Sequence, residues 1–232
     1  MYPLNRNRRL RSKESLRNLI RESSLHPNDF IAPLFVTEGS KIKEEIPSMP
    51  NYYRLSLDNL KKEIKTLWSI GVQAVLIFVK VSDEFKDNIG TEAVNRNGLM
   101  QRAIKEIKNC VPEITIISDI ALDPYSIYGH DGIVKNNRIL NDETNDVLCE
   151  MALSHAEAGV DIVAPSDMMD GRVLSIRKAL EKNNFDNTAI MSYGAKYASS
   201  FYGPFRNALE SNPGFGDKKT YQMDFANRKE AI

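Results

Sequence analysis

The sequence alternates short apolar runs with amphipathic segments, and this alternation restricts the possible folds more than any other feature. Each run is short and rich in valine and isoleucine, which is typical of strands covered on both faces. The five predicted strands are Phe30–Val36, Val72–Val79, Thr115–Leu122, Val160–Pro165 and Thr188–Met191. Helical spacing between and after them predicts helices over Leu57–Ile70, Leu99–Lys108, Asp142–Ala158, Val173–Lys182 and Phe205–Glu210.

Repeated strand–helix units predict an α/β fold with a parallel sheet and right-handed crossovers. The sheet could be doubly wound or closed as a (β/α)8 TIM barrel. No G-x-G-x-x-G pattern follows the first strand, so a dinucleotide site loses its main support. Five strands are fewer than a closed barrel needs. We therefore expect an incomplete TIM-barrel domain over residues 26–232, preceded by an N-terminal arm over residues 1–25.

Charge and hydropathy argue against several classes of protein. Lys+Arg and Asp+Glu are both 31, so no net charge attracts nucleic acid or an anionic membrane. No apolar stretch approaches the roughly 18 residues of a membrane helix, and the N-terminus lacks a signal-peptide core. Cys110 and Cys149 lie far apart and predict reduced thiols. The expectation is a cytoplasmic protein that binds neither nucleic acid nor membrane.

Lys196 is the first candidate for chemistry, because it follows a predicted buried strand at the rim where a barrel places catalytic groups. Desolvation in an apolar pocket would favour the neutral amine, which forms a Schiff base with a carbonyl compound. Arg206, Lys218 and Gln222 follow and suit a small carboxylic acid. The alternatives are that Lys196 is an ordinary surface lysine and the other cations are helix-end charges, or that the aromatic and basic residues bind single-stranded nucleic acid.

Two further strand ends carry polar side chains. Asp119, Asp123 and Asp131 form an oxygen-rich group that favours Mg²⁺ over zinc, could pair with a lysine, or could be an Asx-turn loop. Ser166 and Asp167 either line the same mouth or cap the next helix.

Two histidines complete the survey. His26 and His155 show no nucleophile partner in the sequence and read as structural residues.

Taken together, these motifs resemble porphobilinogen synthase, also called 5-aminolevulinate dehydratase. The matching segments, in order, are Arg8–Arg11, Phe30–Val36, Pro47–Pro50, Asp119–Gly132, Val163–Arg172, Ile190–Arg206 and Gly216–Met223. The resemblance implies a TIM barrel with an N-terminal arm, a homo-octamer, and condensation of two 5-aminolevulinate molecules to porphobilinogen in heme and tetrapyrrole biosynthesis.

The resemblance also assigns roles to individual residues. Lys196 would form the imine with one substrate, and Arg206, Lys218 and Gln222 would hold that substrate's carboxylate, with Ser166 and Asp167 beside them. Asp119, Asp123 and Asp131 would position the amine or assist proton transfer. These three carboxylates complete the set of predicted catalytic residues.

The resemblance further indicates a zinc-independent enzyme. Zinc-dependent members carry three cysteines where this chain has Ala121, Asp123 and Asp131, so it is similar to the aspartate-type branch. We expect no metal or cofactor at the active site and, in that branch, an allosteric response to Mg²⁺ or K⁺. Tyr128 and Phe225 depart from residues common in the family.

Members of this family extend beyond residue 232, where a second catalytic lysine and the glutamate for allosteric Mg²⁺ are expected. The resemblance therefore predicts a C-terminally truncated chain that is inactive alone. The alternatives are a non-catalytic relative that binds 5-aminolevulinate or co-assembles with a longer subunit, and a class I aldolase-like barrel using Lys196 on another carbonyl acid.

Overall fold

The computed structural model describes residues 1–232, with nine strands and seven α-helices. The strands are β1 (Ile31–Thr37), β2 (Lys43–Glu45), β3 (Tyr53–Leu55), β4 (Ala74–Lys80), β5 (Thr115–Ile120), β6 (Ile133–Lys135), β7 (Arg138–Leu140), β8 (Ile162–Pro165) and β9 (Ala189–Ile190). The helices are α1 (Glu14–Leu19), α2 (Leu57–Ser69), α3 (Leu99–Cys110), α4 (Asn141–Ala158), α5 (Arg172–Lys182), α6 (Gly203–Leu209) and α7 (Arg228–Ala231).

Seven strands form one open sheet in the order β2-β3-β1-β4-β5-β8-β9. Every neighbouring pair is parallel except β2 and β3, which are antiparallel. Helices α2, α3, α4 and α5 connect successive parallel strands, as right-handed βα units require. The predicted α/β class with a parallel sheet is confirmed, and all five predicted strands and five predicted helices are present within a few residues.

Two short hairpins were not predicted. Strand β2 consists of three exposed charged residues, Lys43–Glu45, and so lacks the apolar pattern that marks a strand. Strands β6 and β7 form a separate hairpin closed by Asn136 and Asn137, whose φ angles are 52° and 56°. Asparagine tolerates this left-handed region, and two such residues between short strands are the signal for a tight hairpin turn.

The sheet has two buried faces because side chains alternate along each strand. On the outer face, residues such as Val75, Ile77 and Ile116 pack against α2 to α5 in the larger hydrophobic core. On the inner face, a smaller core packs against α6 and contains Phe35, Ile46, Leu76, Phe78, Ile117, Ala164, Ala208 and Leu209. The polar strand-end residues extend the rows of this inner face.

His155 on α4 lies against the outer face of β5. Its Nδ1 is 2.8 Å from Ser118 Oγ, and its side chain is fully buried. The prediction that this histidine is structural agrees with the contact, because Ser118 points away from the inner face and from the cavity. Burial lowers the pKa of His155 to about 3, so the imidazole is neutral in the folded chain.

The N-terminal residues form a 3-10 helix, Asn7–Arg11, followed by α1, and neither element buries a residue. Leu4, Leu10 and Leu19 are exposed there. The boundary of an arm at residue 25 stays a prediction. No helix of the chain combines the length and apolar character needed to cross a membrane.

Candidate functional site

The inner face of the sheet delivers Asp119 and Ser166 to neighbouring strand ends. Asp119 is two residues after Ile117 on β5, and Ser166 is two residues after Ala164 on β8, so both continue inner-face rows. Asp119 is in register with Ala164. Ser166 Oγ donates a 2.6 Å hydrogen bond to Asp119 Oδ1. This pair marks the mouth of the partial barrel.

A cavity of about 90 Å³ opens at this mouth and collects most of the predicted site residues. The predicted residues that line it are Asp119, Asp123, Ser166, Lys196, Arg206, Lys218 and Gln222. Asp131 lies directly beside it and contacts two of the lining lysines. The sequence thus identified residues that converge from four separate chain segments.

Lys196 reaches into this cavity. Its Nζ donates a 2.5 Å hydrogen bond to the carbonyl oxygen of Ser166 and lies 3.6 Å from Asp131 Oδ2. The rings of Tyr193 and Tyr202 have their centroids 5.9 and 5.5 Å from the same nitrogen. With its side chain 11% exposed, Lys196 is not the surface lysine of the alternative interpretation.

Lys218 is a buried cation held by two carboxylates. Its Nζ lies 2.5 Å from Asp131 Oδ1 and 3.4 Å from Asp123 Oδ2. Burial works to lower the pKa of Lys218, but the charges of Asp123 and Asp131 outweigh it and the pKa is raised. For Asp131, burial raises the pKa while Lys218 and then Lys196 lower it, and the net direction is down. Lys218 is therefore an ammonium and Asp131 a carboxylate.

Asp119 has a different protonation behaviour from Asp131. Burial raises its pKa to about 7, the hydroxyl of Ser166 opposes this rise, and the negative charge of Asp123 adds to it. Near neutral pH this carboxyl is present in both protonated and ionised forms. A group balanced in this way can both give and accept a proton, as general acid–base catalysis requires.

Asp167, predicted to bind substrate, does not line the cavity. Its Oδ1 accepts a 2.7 Å hydrogen bond from the backbone N–H of Met169, and its Oδ2 lies 3.3 Å from Arg172 Nε. Burial raises the pKa of Asp167 to about 7, and the charge of Arg172 opposes the rise. Arg172 in turn donates to the carbonyl oxygen of Tyr193 at 2.9 Å. Asp167 is thus linked to the Lys196 segment through Arg172.

The segment that carries Lys218 and Gln222 is hydrogen-bonded both to the segment around Lys196 and to His130, in the loop that precedes Asp131. The N–H of Met223 donates to the carbonyl of Lys196 at 3.0 Å, and the N–H of Ala198 donates to the carbonyl of Met223 at 2.9 Å. His130, which is buried, has Nδ1 3.0 Å from the hydroxyl of Tyr221 and Nε2 3.0 Å from the carbonyl of Phe215. His130 positions this segment and does not line the cavity.

Gly129 permits the close approach of the loop before Asp131 to the chain after α6. Its φ is 61°, and a Cβ there would lie 2.2 Å from the carbonyl oxygen of Asn212. We expect Gly129→Ala to lower the free energy of unfolding by about 3 kcal/mol, combining left-handed strain with a backbone clash. Gly216, at φ 56° with no atom within 4 Å of an added Cβ, is the matched control.

The control isolates the strain from the clash. Gly216→Ala should cost only about 1 kcal/mol, because it meets the left-handed region without a neighbour. Urea denaturation of both variants measures the difference. Equal costs at the two positions would contradict the close approach at Gly129.

Some lining residues were not predicted as part of the site. They are Phe78, Tyr193, Tyr202, Phe205, Leu209 and Ser211. The aromatic richness of the Lys196 segment was visible in the sequence, and Phe78 could have been found from its place on the inner face near the end of β4. Ser211 follows α6 in no recognisable pattern. No group of three or more His, Cys, Asp or Glu side chains is arranged to hold a metal ion.

Comparison with known proteins gives one consistent result. A family model described as "ALAD: Delta-aminolevulinic acid dehydratase" matches residues 4–232. Delta-aminolevulinic acid dehydratase of Bacillus subtilis is 51% identical over 98% of this chain and 70% of its own length. That of Methanothermus sociabilis is 52% identical over 100% of this chain and 71% of its own length.

A solved structure agrees in fold as well as in sequence. The delta-aminolevulinic acid dehydratase (porphobilinogen synthase) of Toxoplasma gondii, crystallised in complex with the reaction product porphobilinogen, superposes with a TM-score of 0.94 and 46% identity. The match covers 98% of this chain, and this chain spans 65% of that structure. With a family model matching almost every residue and relatives near 50% identity, the chain belongs to the delta-aminolevulinic acid dehydratase family.

Proposed function

We propose that this chain acts in porphobilinogen synthesis, the condensation of two 5-aminolevulinate molecules to one porphobilinogen and two waters, with Lys196 forming an imine to one substrate. The observation that carries the residue assignment is the set of charged side chains that surround Lys196 in the cavity. Three cations line that cavity, and two of them, Lys196 and Lys218, lie close to Asp131. Arg206 makes no ion pair with any residue of the chain and is free to take a substrate carboxylate.

The chemistry at Lys196 begins with attack of its neutral Nζ on the C4 carbonyl of 5-aminolevulinate. The new C–N bond, with transfer of one proton from nitrogen to oxygen, gives a neutral carbinolamine, and loss of its hydroxyl as water leaves the protonated imine. The departing oxygen needs a proton, and Asp119 can supply it because its pKa is raised to about 7 by burial. Asp131 stays ionised beside both lysines and balances the positive charge of the imine.

Lys218 and Arg206, the two cations proposed to hold the substrate carboxylate, differ in whether they already pair with carboxylates of the chain. Lys218 is neutralised by Asp123 and Asp131, so its predicted contact with the substrate carboxylate would share an existing ion pair. Arg206 shares with no carboxylate of the chain, and a guanidinium binds a carboxylate through two parallel hydrogen bonds. We therefore assign the main carboxylate contact to Arg206, with Lys218 and Gln222 assisting.

We further propose that the protein is of the aspartate type and needs no zinc at this site. Zinc prefers thiolate and imidazole ligands, whereas Ala121 offers no donor and Asp123 and Asp131 are occupied by the Lys218 ammonium. Calorimetric titration with zinc should give the same result for the native chain and for Asp131→Asn. Zinc binding that is lost in Asp131→Asn would contradict the proposal. An allosteric response to Mg²⁺ is part of the same proposal.

Assembly through the N-terminal arm, as an octamer, is also part of the proposal. Its support is the exposure of Leu4, Leu10 and Leu19, apolar side chains that another copy of the chain could cover. Mass photometry of the chain with and without residues 1–25 measures the assembly, and an unchanged mass per particle would contradict a role for the arm.

The test of the proposed reaction is covalent trapping. Incubation with 5-aminolevulinate and borohydride should reduce the imine to a stable secondary amine on Lys196, which peptide mass spectrometry locates. We expect the label on the peptide that contains Lys196 and on no other lysine of the chain. An unmodified Lys196 at saturating 5-aminolevulinate would overturn the assignment.

A further inference from the structure

Helix α6 is very short, and it carries Arg206, the cation of the site that pairs with no carboxylate of the chain. It spans seven residues, Gly203–Leu209, and it presents Phe205, Arg206 and Leu209 to the cavity. So short a helix is unstable alone, since most helical stability in proteins comes from tertiary packing. The direction of Arg206 is therefore set by whatever holds the two ends of α6.

The first half of α6 is held by aromatic packing. The ring of Phe205 lies 5.2 Å from that of Phe35 and 4.6 Å from that of Phe78, in edge-to-face arrangements. Phe35 and Phe78 are in register on β1 and β4 and both face inward. This contact fixes the residue before Arg206.

The second half of α6 is held by Arg54 on β3. Arg54 is in register with Phe35, so it belongs to the same inward-facing row. Its Nε donates to the carbonyl oxygen of Ala208 and its Nη2 to that of Asn207, both at 2.6 Å. The last carbonyls of a helix lack partners within the helix, so this guanidinium satisfies two of them.

Arg54 is itself locked in place. Its side chain is only 4% exposed, and its Nη1 lies 2.6 Å from Glu44 Oε1 on β2. Its Nη2 is 3.4 Å from Glu210 Oε1, and that same oxygen is 2.6 Å from Lys80 Nζ at the end of β4. The β2–β3 hairpin, the end of β4 and the end of α6 are thereby joined in one buried-to-surface charge network.

We propose that Arg54 is a positioning residue for the substrate carboxylate, because it fixes the end of α6 that follows Arg206. The inference rests on the proposed imine chemistry at Lys196. Arg54 does not line the cavity and touches no reacting atom. Its effect is confined to the binding of the carboxylate and leaves the reactivity of Lys196 unchanged.

The experiment compares two ketones in borohydride trapping. One is 5-aminolevulinate, and the other is 1-aminobutan-2-one, which has the same aminoketone but no carboxylate. For Arg54→Met we expect the 5-aminolevulinate concentration at half-maximal labelling of Lys196 to rise about tenfold, since a displaced guanidinium loses much of a charged hydrogen bond. Labelling at saturation, and the half-maximal concentration of 1-aminobutan-2-one, should stay as in the native chain.

Arg177 supplies a matched control. It donates to two backbone carbonyls in the same manner, those of Thr188 at 2.6 Å and Phe185 at 3.0 Å, but it lies on α5 away from the cavity. Arg177→Met should leave both half-maximal concentrations unchanged. Arg54→Lys, which keeps the charge and one donor direction, should give an intermediate rise and carries the test if Arg54→Met does not fold.

The outcomes separate the inference from the function on which it rests. A native chain without label overturns the proposed imine and this inference with it. A labelled native chain with an unchanged half-maximal concentration in the Arg54 variants overturns the inference alone. Equal weakening for both ketones also overturns it, because that result indicates a general loss of structure.

Discussion

Lys196→Met should abolish borohydride-dependent labelling by 5-aminolevulinate, whereas a variant that lacks the Lys218 amine should keep the label on Lys196. The side chains of Lys196 and Lys218 are 11% and 3% exposed and both amines contact Asp131, so proximity alone does not distinguish them. Their ion pairs do: Lys218 Nζ lies 2.5 Å from Asp131 and 3.4 Å from Asp123, whereas Lys196 Nζ lies 3.6 Å from Asp131 alone. The pKa of Lys218 is raised because Asp123 and Asp131 outweigh its burial, which keeps it as an ammonium without a free electron pair.

The comparison needs a variant that does not leave a buried carboxylate alone. Removing Lys218 by itself would leave Asp131 with only the more distant Lys196 amine, 3.6 Å away, and breaking a buried ion pair costs about 3–5 kcal/mol. We therefore combine Lys218→Met with Asp131→Asn, which removes both members of the pair. This double variant should still be labelled at Lys196, at a 5-aminolevulinate concentration raised about tenfold by the loss of one assisting cation and of the carboxylate beside the imine.

Peptide mass spectrometry gives the readout for each variant. A label that moves to Lys218 in Lys196→Met would show that the second amine is reactive and would overturn the assignment of roles. Circular dichroism of Lys196→Met serves as the folding control, since methionine fits the apolar surroundings of Tyr193 and Tyr202.

Asp119→Asn should stabilise the folded chain at pH 8.5 and change its stability little at pH 4. Burial raises the pKa of Asp119 from 3.8 to about 7, so the folded state retains a proton that the unfolded state has lost. The stabilisation from that proton is complete below pH 3.8 and is lost as the pH rises through 7. The full difference corresponds to roughly 4 kcal/mol for a completely buried group.

The amide of asparagine resembles the protonated carboxyl at every pH, and its oxygen can still accept the hydrogen bond of Ser166. The free energy of unfolding of the variant minus that of the native chain should therefore increase between pH 4 and pH 8.5. Urea denaturation at four pH values measures it, with Asp186→Asn as the control because Asp186 is exposed. A difference that does not vary with pH would contradict the raised pKa.

The regular part of the fold was predictable because it depends on local patterns. Apolar runs such as Val72–Val79 gave β4 nearly residue for residue, and glycines marked helix ends, as Gly159 does after α4 with φ 100°. The β2 strand was not predictable, since Lys43–Glu45 forms a strand only because Tyr53–Leu55 lies beside it. Such edge pairing is a tertiary effect.

Which residues line the candidate site was also largely predictable, but the contacts between them were not. Strand ends and the resemblance named Lys196, Asp119 and Arg206, which line one cavity. Nothing local shows that Lys218 pairs with Asp131, 87 residues earlier, or that Arg54 contacts Asn207, 153 residues later. These contacts depend on how the sheet curves and on which face each side chain takes.

Strand β5 shows how the chain keeps two tasks apart. Ser118 meets His155 in the helix layer, while its neighbour Asp119 meets Ser166 at the mouth of the cavity. Adjacent positions in the chain thus face different surroundings, one the packed helix layer and the other the cavity where substrate is proposed to bind. Directed evolution could diversify the helix-facing row for greater robustness while leaving the opposite row untouched.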